Sequence, residues 1–77
     1  MTDTMANRPQ VGDLVCDINY TQWEREYGII SLIEYWGDED GTHLYFVHWT
    51  NGGLAGYTTA HKLKDIEQML ENVKQNT

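Results

Sequence analysis

Three histidines, His43, His48 and His61, and one cysteine, Cys16, are the side chains of this 77-residue sequence best suited to chemistry near neutral pH. An imidazole can move protons or ligate a metal, and a thiolate can act as nucleophile or zinc ligand. Their spacing supports neither use. The histidines are scattered, a structural zinc site needs paired ligands, and no nucleophile motif or paired carboxylate stands beside them. Cys16 and His48 fall within strand-like runs, where a small packing residue and an outward-facing polar residue are expected. Asp38-Glu39-Asp40 gathers carboxylates, but a calcium loop alternates its ligands and closes on a distal glutamate over about twelve residues. That run reads as a solvated hairpin tip. The expectation is a non-enzymatic chain with no cofactor and no metal.

Recognition is the remaining chemistry. Tyr20, Trp23, Arg25 and Tyr27 crowd into one polar segment, residues 19–27, between two strand-like runs. Aromatics beside an arginine are typical interface anchors, and loops carry function more often than scaffolds do. The competing use of this loop is a lid, with Trp23 plugging one end of the fold. A second candidate surface lies near the C-terminus, where Leu63, Ile66, Met69, Leu70 and Val73 recur at spacings of three and four. That helical face either caps the fold or docks on another subunit. The candidate partner-binding residues are therefore Tyr20, Trp23, Arg25, Tyr27, Ile66 and Leu70.

The elements that would position them are mostly strands. Residues 11–18, 28–36, 43–50 and 55–60 are short apolar runs separated by Gly-rich or acidic turns, as in one small antiparallel barrel or sheet. In residues 28–36, strict alternation puts Ile29, Ser31, Ile33 and Tyr35 on one face and Ile30, Leu32, Glu34 and Trp36 on the other. The expected core includes Val15, Ile29, Ile33, Val47 and Trp49. Asn51-Gly52-Gly53 is a hairpin signal. Residues 1–10 read as a flexible arm, 11–66 as the β domain and 67–77 as a helix and tail. Residues 63–66 fit either a closing strand or the start of a longer helix.

Composition limits the partners. The net charge is −7, and Arg8, Arg25, Lys62, Lys64 and Lys74 form no basic stripe, so direct nucleic-acid binding is disfavoured. Acidity suits a basic protein partner or simple solubility. No apolar run approaches the ~20 residues that span a bilayer, and residues 1–10 lack a signal-peptide pattern. A soluble, intracellular protein or part of a particle assembled inside a cell is expected.

Tyr45-Phe46-Val47-His48-Trp49-Thr50-Asn51-Gly52-Gly53 resembles the Y-x-V-x-W-x-x-G strand and turn of chromodomain-like and Tudor-like modules. With Val11-Gly12-Asp13-Leu14-Val15 and Gly28-Ile29-Ile30, the chain resembles an SH3-like barrel, and short phage-encoded SH3-like proteins in particular. The resemblance implies a mainly β fold: a small five-stranded antiparallel SH3-like barrel with a C-terminal amphipathic helix. It implies a protein–protein interaction module, acting as a virion component (decoration, adaptor or tail-associated) or as a host-directed regulator. Its partner would be a viral structural or host protein, and its location the host cytoplasm or the virion. The alternatives are an acidic nucleic-acid mimic that inhibits, or a transcription-associated regulator. The chromodomain comparison also implies an aromatic cage of Tyr45, Trp49 and an aromatic of the 19–27 loop, although Tyr57-Thr58-Thr59 replaces that family's Trp-Glu-Pro.

Overall fold

A computed structural model describes residues 8–19, 24–35 and 43–75. Strands β1 (Leu14–Asn19), β2 (Glu24–Tyr35), β3 (His43–Trp49) and β4 (Thr58–His61) form one antiparallel sheet in the order β1-β2-β3-β4. Helix α1 (Leu63–Gln75) follows and packs on β1 and β3. Among the described residues the sheet is therefore open and four-stranded, where the sequence reading expected five strands closed into a barrel. Among the described residues, no helix is long and apolar enough to cross a membrane.

β2 starts four residues before the expected run, at Glu24 instead of Gly28. Charged Glu24, Arg25 and Glu26 hide the strand pattern, but β1 pairs with all three, and residues 50–51 hold Arg25 and Tyr27 from the other side. β1 pairs Ile18 with Arg25 and Cys16 with Tyr27. From the other side, Asn51 Oδ1 accepts from the Tyr27 amide at 2.6 Å, and Asn51 Nδ2 donates to the Arg25 carbonyl at 3.2 Å. The Thr50 amide and hydroxyl both donate to the Tyr27 carbonyl at 2.9 Å. The turn that signals a hairpin thus also extends the neighbouring strand. The strand expected at 55–60 starts later, at Thr58, and runs to His61, after a 3-10 turn at Gly52–Leu54.

A bulge at Ser31 decides which residues form the core. Ile30 pairs with Val47 and Leu32 with Phe46, so Ser31 has no opposite partner. One extra residue reverses the facing of everything after it. Ile30 and Ile33 consequently share the inner face, and strict alternation fails. Val15, Ile30, Tyr45, Val47, Trp49, Ile66 and Met69 form the buried cluster, with Ile33 and Leu70 packed against it. Val15, Val47 and Trp49 occupy their expected places, Ile33 is half-buried, and Ile29 is a half-buried residue of the outer face, replaced in the core by Ile30.

Gly28 lies where β2 presses on β3. A Cβ there would stand 2.5 Å from Val47 Cγ1 and 3.0 Å from Trp49 Cε3, so only a hydrogen fits. The Trp49 indole donates to Thr59 Oγ1 at 2.7 Å, which satisfies its one polar atom inside the core. α1 begins at Leu63, taking the longer of the two starts open to the sequence. Asp65 in its first turn and Lys74 in its last complement the helix dipole. Asn72 is its one buried polar side chain among the described residues. It donates to the Cys16 carbonyl at 2.9 Å and accepts from Gln68 at 3.1 Å, tying α1 to β1.

Candidate functional site

Beyond the bulge, the inner face of β2 and β3 carries Ile33 opposite Tyr45 and Tyr35 opposite His43. α1 covers the sheet only from Leu63 onward, leaving a concavity beside this end. Arg8, Pro9, Ile33, His43, Tyr45, Leu63 and Glu67 line a groove of about 510 Å³, a size typical of ligand sites. Pro9 is buried and fixes the N-terminal wall. The next turn holds it there: Gly12 donates to the Ile30 carbonyl at 2.8 Å, Ile30 donates to the Asp13 carbonyl at 3.0 Å, and Gln10 donates to Asp13 Oδ2 at 2.9 Å. Gly12 has φ +99°, which favours glycine at that corner.

One wall is aromatic. The Tyr35 and His43 ring centres are 4.8 Å apart, and those of His43 and Tyr45 are 6.2 Å apart. Tyr35 remains 61% exposed and Leu63 42%, whereas Tyr45 is buried beneath them. Burial pushes the Tyr45 phenol above its usual pKa; the Arg8 charge pulls it back and the Glu67 carboxylate pushes it further up. Tyr45 therefore stays a protonated hydroxyl at neutral pH, a donor and acceptor but not a base. Arg8 and Glu67, both exposed, place opposite charges on the groove's edge.

A smaller pocket of about 260 Å³ lies between β1, β4 and α1, lined by Asp17, His61, Asp65, Gln68, Met69 and Asn72. His61 Nε2 is 2.6 Å from Thr59 Oγ1, and the two amides are engaged with each other. Among the described residues no three His, Cys, Asp or Glu side chains come together as a metal set.

The sequence-predicted residues fall in different places. Tyr20 and Trp23 lie outside the described residues, as do Asp38, Glu39 and Asp40. Arg25 and Tyr27 belong to β2, on the face away from α1, and both are half-buried. Arg25 Nη1 is buried with no hydrogen-bond partner. Ile66 is fully buried and Leu70 packs against the core, so this helix face caps the sheet, one of the two uses open to the sequence. Trp49, a member of the expected cage, is only 1% exposed and its indole is bonded internally. Cys16 is fully buried, and His48 stands exposed beside Thr58, as their strand positions suggested.

Sequence reasoning missed the groove. Arg8 and Pro9 sat in the segment taken for a flexible arm, and His43 had no visible partner. The available signal was the Tyr35, His43, Tyr45 set, which aligns only once the Ser31 bulge is known. No protein-family model, curated protein or solved structure matches this chain.

Proposed function

We propose that this protein is a non-enzymatic interaction module that holds a segment of a protein partner in the Arg8–Tyr45–Glu67 groove. One observation carries the reading: a 510 Å³ concavity joins an aliphatic floor, an aromatic wall and two opposite edge charges. Aliphatic and aromatic surface supplies affinity, and a few placed polar groups fix orientation. Tyr45, whose pKa burial raises, stays a protonated hydroxyl that suits hydrogen bonding to a bound segment. The phage resemblance supplies the partner class, a viral structural or host protein. The finer architecture, an SH3-like barrel with a fifth strand, belongs to the same proposal. The strand motifs and the bulge that bends β2 support it, and cross-strand nuclear Overhauser contacts to a fifth strand test it.

A random peptide library selected against the full chain tests the function. Selected peptides should shift the amide resonances of His43, Tyr45, Leu63 and Glu67, and Leu63→Lys should abolish those shifts without lowering the melting temperature. Peptides that shift only resonances elsewhere would overturn the assignment.

A further inference from the structure

The sheet has a second face, turned away from α1, and its composition differs sharply from that of the chain. Leu14, Ile29, Leu32 and Phe46 cross it from β1 to β3 through the pairs Leu14–Ile29 and Leu32–Phe46. Leu14 is 42% exposed and Leu32 46%. Among the described residues of β1–β3, its formally charged members are Arg25 near one end of β2 and Glu34 near the other. The chain carries seven net negative charges, yet this face balances to zero. Loss of charge around an apolar centre marks interface cores.

The arrangement is also self-complementary. Arg25 and Glu34 lie nine positions apart, roughly 30 Å along a strand rising about 3.3 Å per residue, and Ile29 stands near their midpoint. A two-fold axis across β2 at that midpoint lays two such faces together with their β2 strands antiparallel. Each arginine then meets the other copy's glutamate, because a two-fold interface pairs i with j and j with i. Stacked sheets lie about 10 Å apart, a gap that an arginine and a glutamate span together.

We propose that the outer sheet face is a self-association surface, on which two copies pack face to face and pair Arg25 of each with Glu34 of the other. A standard interface covers about 800 Å² per partner, roughly one seventh of this chain's 5561 Å² surface. Repulsion between two acidic chains is screened beyond about 8 Å at physiological salt.

Sedimentation equilibrium of the full chain near 0.15 M salt, across micromolar to millimolar concentrations, tests this. The wild-type chain should dimerise. Leu32→Glu should weaken the dimer by roughly tenfold or more while leaving the thermal melt unchanged, since Leu32 is exposed. Arg25→Glu and Glu34→Arg should each weaken self-association, whereas mixing the two variants should restore a dimer. In the mixture both cross-pairs are of opposite sign, so the restoration reports pairing and not folding. A wild-type chain that stays monomeric at millimolar concentration overturns the proposal. So does a dimer indifferent to Leu32→Glu, or variants whose mixture associates no better than either alone.

Discussion

Replacing Gly28 with alanine tests the tightest contact in the fold. The new Cβ would lie 2.5 Å from Val47 Cγ1, against the roughly 3.5–4.0 Å that carbon atoms prefer. About 1 Å of movement is needed. Val47 is fully buried and β-branched, so rotation of its χ1 is a poor escape. The Trp49 ring at 3.0 Å and the His48 carbonyl at 3.1 Å close the other directions. Overpacking of this kind costs about 1–3 kcal/mol. The alanine returns about 0.4–1 kcal/mol by restricting the unfolded chain. Gly28→Ala should therefore destabilise by about 1–2 kcal/mol, lowering the melting temperature by roughly 4–16 °C in a domain this small. Val47→Ala alone should also destabilise, through a cavity. Combined, the new methyl occupies part of the vacated space, so the double variant should be at least about 1 kcal/mol more stable than the sum of the single losses. Urea unfolding of all four proteins measures the cycle. A Gly28→Ala protein as stable as wild type, or strict additivity with Val47→Ala, would refute the close contact.

Trp49→Ala should cost about 3–5 kcal/mol in urea unfolding, a large part of the stability of a domain this size, because the ring is buried and its indole is bonded to Thr59. Asn72→Ala should cost about 1–3 kcal/mol by leaving the buried Cys16 carbonyl without its side-chain donor, and faster amide exchange in α1 and β1 should accompany the loss. For Tyr45, whose folded pKa is raised, the stabilising contribution is whole below the unfolded value of about 10 and is lost as pH rises through the folded value. Tyr45→Phe should therefore make the alkaline fall in urea midpoint shallower, and an unchanged slope above that pH would remove Tyr45 from the buried position.

Much of the scaffold was legible because local pattern and tertiary environment agree. Val15, Val47 and Trp49 alternate with polar neighbours on strands that pair regularly, and Ile66 and Met69 repeat at helical spacing against the sheet. Legibility failed where one residue changes the phase. Ser31 looks like an ordinary polar member of an alternating run, yet its bulge moves Ile29 outward and Ile30 inward. No local propensity distinguishes those two isoleucines. The early start of β2 was hidden for a different reason: Glu24, Arg25 and Glu26 are unremarkable strand formers, and the backbones of Arg25 and Tyr27 are held by Thr50 and Asn51, more than twenty positions away.

The same phase shift governs what the site can be. With strict alternation, Ile33 would share its face with Ile29 and turn away from Val47. The bulge instead sets Ile33 beside Tyr45 on the inner face, and Tyr35 beside His43. Ile33, Tyr45 and His43 of those pairs line the groove, to which Arg8, Pro9 and α1 add the remaining sides. On the outer face, the same extra residue brings Leu32 and Glu34 into line with Ile29 and Arg25, although their numbers differ in parity. Removing Ser31 from the chain should thus leave a regular ladder of Ile30–Val47, Leu32–Phe46 and Ile33–Tyr45 pairs that keeps Ile33 in the groove and Glu34 on the outer surface, whereas absorbing Ser31 into the ladder would turn both residues over together. A bulge that serves both faces is more constrained than one that only bends a strand. It ties the geometry of the proposed groove to that of the proposed self-association surface through a single backbone irregularity.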